Sequence, residues 1–304
     1  MLRYLIATFA FVLLGCQPAT ENAGTPSVDD PTMANTDVSA GPQNSLEAFL
    51  EAQPDEVKAR YKDRHPKETI EFFGIAPGMT VVEGLPGRGW YTKILLNYLG
   101  DDGRLIGADY SMDMWPLFFF GTEAFLAEKA TWIDKFKDDA ASWSGDDAAA
   151  VDAFVFGSMP DSLAGSADVV FFPRVLHNLA NFQNAGKGDF LDIALADVYA
   201  VLKPGGVFGV VQHEARDDMS DAFADGTRGY LKKGWVIAQV EKAGFEFVAE
   251  SDINQNPKDL PSEEDIVWRL PPSYTGVDED MEKRAALDTI GESNRMTLKF
   301  RKPE

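Results

Sequence analysis

The chain has one cysteine, Cys16, in 304 residues. A single thiol excludes intrachain disulfides, thiolate zinc sites and cysteine-ligated iron–sulfur clusters together. Positive charge is scarce: 28 Lys and Arg against 49 Asp and Glu give a formal charge of −21. Such a deficit argues against nucleic acid as a partner, because the phosphate backbone needs a basic footprint. It also argues against docking on anionic lipid through a polybasic face. Histidine is scarce too, with only three residues. What is present is ordinary for a globular protein, 45% hydrophobic and 25% charged residues, at a length that suits one large domain or two small ones.

The first sixteen residues read as an address. Arg3 precedes an almost wholly apolar run from Leu5 to Leu14, followed by Gly15 and Cys16. Ten residues are too few to cross a hydrocarbon core of ~30 Å, but they fit the apolar region of a secretory signal. Leu13-Leu14-Gly15-Cys16 resembles a bacterial lipobox. The resemblance implies residues 1–15 as a signal peptide, cleavage before Cys16, and a diacylglycerol thioether plus an acylated amine on Cys16. Two or more acyl chains give stable anchoring in a lipid bilayer. Gln17, where an aspartate would signal retention, implies an outer-membrane lipoprotein facing the periplasm. A plain signal peptide with a chance cysteine is the alternative. Residues 17–44 are rich in Ala, Thr, Pro, Asn, Asp, Gly and Ser without apolar period, and so read as a flexible tether.

Residues 45–304 alternate between helical and strand patterns. Ser45 is placed to cap a helix through Ala52, and Asp55–Arg64 and Pro66–Phe73 read as further helices. Short apolar strands are expected at 80–83, 104–109, 153–156, 168–172, 207–212, 245–250 and 296–300. Helices are expected at 90–98, 113–137 (interrupted by Pro116), 189–202 and 235–243. Near-continuous apolar strands alternating with helices argue an α/β fold whose parallel sheet is covered on both faces. Residues 45–74 form a helical lid in this reading, and 251–293 form an insertion before the last strand, with the proline-rich turns "NPKDLP" and "WRLPPSY". The insertion either packs over the sheet edge or pocket or is a passive loop.

In such sheets ligands bind beyond the carboxyl ends of the strands. The strand at 80–83 ends on a carboxylate and runs into Glu83-Gly84-Leu85-Pro86-Gly87-Arg88-Gly89. A glycine-rich turn lets backbone N–H groups approach a ligand, and the next helix offers its positive end. The turn departs from the dinucleotide fingerprint, whose first glycine falls at Leu85. Asp109 ends the next strand, 26 residues after Glu83, where a carboxylate can accept both ribose hydroxyls of an adenosine. A turn or helix-cap acid is the plainer role for Asp109.

These residues resemble a class I S-adenosylmethionine-dependent methyltransferase. "VVEGLPGRGWYT" resembles its first motif, "LIGADY" its ribose-binding strand end, and "VLKPGGVFGVV" its late helix–turn–strand. "RHPKETIEFFGIAPGMTVVE", "VLHNL", "RGYLKKGWVIAQVEKAGF", "NPKD", "VWRLPP" and "GESNRMTLKFRKP" resemble, more narrowly, an exported bacterial family of methyltransferase-like proteins across residues 57–303. The resemblance implies a Rossmann-like, doubly wound, mostly parallel seven-stranded sheet with an antiparallel last strand, and S-adenosylmethionine as cofactor. Glu83 and the backbone of Gly84, Pro86, Gly87 and Gly89 would cradle the methionyl part. Asp109 would hold ribose, Tyr110 and Ser111 would lie beside the adenosine, and Gly157, Ser158 and Met159 would flank the adenine. Many relatives place an acid near the position of Ser158, and here none is adjacent. Trp90, Tyr91 and Phe172 are candidates for an aromatic wall against the sulfonium; core packing is the alternative for each, most of all for Phe172.

Methyl transfer gains mainly from positioning and desolvation, and needs a base only when the acceptor is protonated. His177 and His213 each follow a strand end and are the candidate catalytic bases, His177 first; His65 belongs to the leading helices. Convergence of all three near Glu214 would make a metal site, although their spacing carries no ligand signature. Arg174 and Arg228 are candidates to pair with a carboxylate of substrate or cofactor, surface ion pairing being the alternative. Export conflicts with a charged cofactor that does not cross a bilayer freely. Two readings follow: a lipid-anchored methyltransferase acting on a small or envelope-associated acceptor, or a non-catalytic envelope lipoprotein that reuses the fold to hold a metal or another ligand.

Overall fold

In the computed structural model, residues 46–277 and 279–304 are described. The Cys16 lipidation site, the tether and the Ser45 cap lie outside the described residues. Four short helices lead in: α1 (Leu46–Glu51), α2 (Asp55–Lys58), α3 (Tyr61–Arg64) and α4 (Pro66–Phe73). Then come β1 (Thr80–Gly84), α5 (Trp90–Tyr98), β2 (Arg104–Asp109), α6 (Glu123–Ala130), α7 (Trp132–Trp143) and β3 (Ala150–Val155). The second half holds β4 (Ala167–Pro173), α8 (Leu176–Asn184), α9 (Phe190–Val201), β5 (Leu202–Ala215), β6 (Leu231–Lys232), α10 (Lys233–Lys242), β7 (Glu246–Ser251), α11 (Met281–Ile290) and β8 (Arg295–Arg301).

The sheet order is β3-β2-β1-β4-β5-β8-β7, with the two-residue β6 paired to β5 off this path. Strands β1 to β5 pair in parallel, and β8 runs antiparallel to both β5 and β7. The seven-stranded path matches the expected α/β sheet, and β6 adds an eighth strand. Strand order reverses between β1 and β4, and in sheets of this kind the carboxyl ends at that switch point are where a ligand crevice forms. Successive side chains along each strand enter opposite layers. Val81, Leu105, Val169 and Phe171 pack with Ile70, Ile94 and Leu95 on one face. Val82, Ile106, Val170 and Phe172 pack with Leu179, Leu195 and Val198 on the other. Each such apolar side chain contributes ~1.5–3 kcal/mol by leaving water.

Four local expectations need correction. The helix expected at 113–137 is a 3-10 turn at Trp115–Leu117 followed by α6 and α7. Pro116 cannot continue a helical ladder, and Thr122 restarts one by accepting the Phe125 N–H on its hydroxyl at 3.3 Å. The expected helix at 55–64 breaks after Lys58 into α2 and α3. Two helices were not expected. The residues of α8 include three asparagines, weak helix formers, but Leu176, Leu179 and Ala180 fall on one buried face and packing decides. The exposed α11 carries no buried residue and starts from the Asp280 carboxylate, which accepts the Lys283 N–H at 3.0 Å. Among the described residues, no helix is long and apolar enough to cross a membrane.

Gly84 is where the core reaches the crevice. A Cβ there would lie 2.5 Å from Cδ1 and 2.7 Å from Cε1 of Phe172. Gly84→Ala should therefore destabilise the fold by about 1–3 kcal/mol, an overpacking cost, read as a lower urea midpoint. Phe172→Leu in the same chain should recover part of the loss. An alanine variant as stable as the parent would show that the Phe172 ring does not press on this turn.

Candidate active site

The crevice is built at the ends of β1, β2, β4 and β5. After β1 the chain turns through Leu85, Gly87 and Gly89, with φ of 49°, 59° and 74°. Leu85 thus takes a left-handed step where the dinucleotide fingerprint has glycine, so the substitution leaves the turn's path intact at a cost of order 1–2 kcal/mol. Gly89 has a second reason to be glycine: a Cβ would lie 2.4 Å from the Trp143 ring. Gly84, Pro86 and Gly89 are buried and Gly87 is exposed.

Two buried carboxylates flank this turn. Glu83, 2% exposed, accepts a 2.7 Å hydrogen bond from the Thr92 hydroxyl. Burial pushes its pKa up to about 7, against the pull of Thr92 and Arg174. Asp109, 1% exposed, accepts the Tyr110 N–H at 2.9 Å on one oxygen and the Lys129 ammonium at 2.7 Å on the other. Burial raises its pKa, while Lys129 and the Tyr110 N–H hold it down. Lys129 also lies 3.9 Å over the Trp115 ring. In the loop just after Asp109, Ser111 Oγ and Trp115 Nε1 are buried without a hydrogen-bond partner. Such orphans are uncommon in native interiors and each needs an explanation. Tyr110 turns inward: its hydroxyl donates to the Val175 carbonyl at 2.9 Å, tying the end of β2 to the loop after β4.

At the ends of β4 and β5 the two candidate bases meet. The His177 and His213 rings have centroids 5.5 Å apart. His177 Nδ1 lies 3.4 Å from Gln212 Oε1, and the Gln212 amide donates to the Gly229 carbonyl at 2.9 Å. His213 Nδ1 lies 2.5 Å from Ser293 Oγ. Burial lowers the His177 pKa to about 4 and carries that of His213 well below the ordinary range, aided by neighbouring positive charge. Both imidazoles are therefore neutral at pH 7, able to accept a proton but only weakly basic. Trp268, from the 251–293 segment, packs edge-on against His177 at 5.6 Å. Among the described residues no group of three or more His, Cys, Asp and Glu side chains is placed to hold a metal ion.

The leading helices reach this corner through a buried ion triad that sequence reading missed. Arg64 Nε lies 3.1 Å from both Glu292 oxygens, and Arg295 pairs with the same carboxylate. Arg295 also donates to the Asp63 carbonyl at 2.9 Å. Arg60 stands 3.7 Å from Glu292. Only pairwise burial reveals this set: Arg64 and Glu292 are 228 residues apart.

The aromatic candidates have protein partners. Arg64, not an open site, lies 4.7 Å over the Trp90 ring, and Trp90 Nε1 donates to the Val57 carbonyl at 3.2 Å. The buried Tyr91 donates to the Arg64 carbonyl at 3.3 Å and packs edge-on against Phe171. Phe172 is fully buried between Phe156 and Phe208. Gly157 and Ser158 are exposed and Met159 is partly buried. The acid lacking beside Ser158 in sequence arrives from α9: Asp197 accepts the Gly157 N–H at 2.7 Å. Arg228 donates to the Glu264 carbonyl at 2.8 Å. A cavity of ≈ 480 Å³ lies elsewhere, lined by Asn181, Asn184, Asp225, Lys232 and Trp235 among others. Neither Glu83 nor Asp109 lines it, so the two buried acids and this cavity are separate.

No family model matches the chain, and no curated protein matches it. Solved structures do. Geranyl diphosphate C-methyltransferase from Streptomyces coelicolor A3(2) is similar at 14% identity, over 84% of this chain and 87% of that one, with a TM-score of 0.50. A SAM-dependent methyltransferase from Aquifex aeolicus is similar at 17% identity, over 66% and 93%, with a TM-score of 0.41. The first establishes a methyltransferase-like α/β fold for this chain.

The triad and the histidines set the acid limb of stability. Glu292 is held down to about 2 by Arg295 and Arg64 despite its burial. Its contribution is complete above its ordinary value of 4.5 and is lost as pH falls through about 2. His177 is buried neutral, so its contribution is complete above 6.5 and lost as pH falls through about 4. Urea unfolding from pH 7 to 2 should show a decline beginning near 6 and steepening below 4.5. Glu292→Gln should cost about 3–5 kcal/mol at pH 7, by leaving buried guanidiniums unpaired, and flatten only the lower limb. An unchanged lower limb in that variant would contradict the assignment.

Proposed function

We propose that the chain is an S-adenosylmethionine-dependent methyltransferase of the cell envelope that modifies a small or envelope-associated acceptor. One observation carries this reading: two buried acids, Glu83 and Asp109, end adjacent parallel strands on either side of a left-handed glycine turn, with two orphaned polar atoms beside the second. An ionised carboxylate offers about four acceptor positions. At Asp109 the Tyr110 N–H and Lys129 take two, which leaves two for a vicinal diol. Ser111 Oγ and Trp115 Nε1 would gain the partners they lack from an adenosine seated there. These residues fit the adenosyl group.

Bound in this crevice, S-adenosylmethionine would supply an electrophilic methyl group on a charged sulfur. Every other contribution belongs to the chain. Glu83 and the turn after β1 hold the ligand's amino-acid end, with Thr92 fixing the Glu83 carboxyl. The burial of His177 and His213 themselves, with Trp268 packed on the first, keeps most water from their corner. The neutral His177 and His213 are available to take a proton from an acceptor that carries one. The Cys16 anchor and an outer-membrane, periplasm-facing location belong to the same proposal. In its favour, the 115–121 loop presents Leu117, Phe119 and Phe120 to solvent, with Phe119 99% exposed, an apolar tip suited to a bilayer surface.

The second reading, a non-catalytic ligand-binding lipoprotein, is favoured by the Lys129–Asp109 ion pair, which already satisfies the ribose acid without a ligand. Calorimetric titration of the full chain in detergent separates the two. S-adenosylmethionine and S-adenosylhomocysteine should bind saturably, and Asp109→Asn should weaken both at least about tenfold, the loss of one charge-assisted hydrogen bond or more. Absence of saturable binding by the parent chain would refute the cofactor assignment. Palmitate labelling in the producing cells should vanish in Cys16→Ser; labelling that persists would remove the anchor from the proposal.

A further inference from the structure

Arg174 is left unused by everything above. It follows directly on β4, in the crevice, with φ of 66°. Its backbone N–H donates to the Val211 carbonyl at 2.6 Å, which fixes it across the β4–β5 boundary. Among the described residues no carboxylate lies within ion-pairing distance of its guanidinium and no hydrogen bond engages it. Its place right after β4 puts it at the same carboxyl edge of the sheet as Glu83, at the end of β1, and His177, three residues further on. Among the described residues four non-glycine residues have a left-handed backbone, and two of them, Leu85 and Arg174, follow directly on the adjacent strands β1 and β4. Backbone strain of this kind persists where the surroundings over-determine it, commonly at functional sites.

The charge balance of the corner is the second observation. Arg64 and Arg295 pair with one ionised carboxylate, Glu292, with Arg60 3.7 Å from it, and the unpaired Arg174 adds a further positive charge to their surroundings. Arg64 and Arg295 already share that carboxylate, and Glu83 is held near neutrality by burial. A surplus of positive charge, with Arg174 and Arg60 partly buried, is thus kept in one place within a chain whose net charge is −21. Arg174 is partly buried and stays protonated at neutral pH, although desolvation and the neighbouring arginines push it down to about 9. The cofactor cannot balance it. S-adenosylmethionine carries one carboxylate against an ammonium and a sulfonium, so it brings one more positive charge.

We infer that the methyl acceptor is an anion, a carboxylate or phosphate ester, whose charged group pairs with Arg174 at the end of β4. Arg174 is a specificity-determining residue in this inference, and its planar fork suits both groups bidentately. The inference rests on the methyltransferase reading, and the experiment keeps the two apart.

The full chain in detergent, saturated with S-adenosylhomocysteine, is titrated with inorganic phosphate, benzoate and the neutral isostere benzamide. Phosphate and benzoate should bind, and benzamide should bind at least tenfold more weakly. Arg174→Gln should weaken the anions at least tenfold while leaving S-adenosylhomocysteine affinity unchanged, and Arg174→Lys should fall between. The comparison of benzoate with benzamide uses the unaltered chain and holds even if a variant misfolds. Equal binding of benzoate and benzamide, or anion affinity indifferent to Arg174, overturns the inference. So does a loss of S-adenosylhomocysteine in Arg174→Gln, which would assign the arginine to the cofactor's own carboxylate. If the chain binds S-adenosylhomocysteine but no anion, the anionic acceptor fails and the methyltransferase reading stands. If it binds anions through Arg174 but no S-adenosylhomocysteine, the anion site stands and the methyltransferase reading fails.

Discussion

A single carboxylate held between two buried guanidiniums closes this molecule. Glu292 stands just before β8, Arg295 begins that strand, and Arg64 ends α3, so their contact joins the leading helices to the antiparallel edge of the sheet. Each of the three side chains is almost wholly removed from water. A buried ion set of this type adds little net stability relative to an apolar replacement, but it fixes one arrangement, because any misplacement strands a charge. What it fixes here is the position of Tyr91 and Trp90, which contact Arg64, and of Ser293, next to Glu292, which meets His213 Nδ1.

Burial sets the dielectric in which the groups at the strand ends work. Glu83 and the two histidines are pushed toward neutrality by burial, while Lys129 and the Tyr110 N–H oppose the rise that burial imposes on Asp109. The crevice is thereby divided. Its β2 side is an ion pair with spare acceptor positions and two unpartnered polar atoms, and its β4 side is a cationic corner with neutral imidazoles. Two such unlike halves suit a ligand pair of unlike character, a polar nucleoside on one side and an anion on the other.

Much of the fold was legible because it rests on local, repeated signals. The apolar runs of β1 and β2, punctuated by Pro77-Gly78 and by the glycine turn, and the helices α4 and α5 fall where the pattern places them. The elements that escaped, α8 and α11, are set by one buried face and one cap, signals too sparse in sequence to outweigh weak propensity. At the crevice, strand-end acids and histidines are visible because β-strand ends announce them. The Arg64–Glu292–Arg295 set, Lys129 on Asp109 and Asp197 on the Gly157 N–H are not, since each joins groups far apart in sequence. Leu85 shows the converse: a residue that breaks the glycine pattern still adopts the glycine-like backbone.

The most direct measurement is a crystal structure of the chain grown with S-adenosylhomocysteine. The ribose diol should lie within hydrogen-bonding distance of Asp109, with the adenosine against Ser111 and Trp115. Density for the nucleoside in the hollow beside Asn181 and Trp235, or no density at the end of β2, would contradict the assignment of this crevice as the cofactor site.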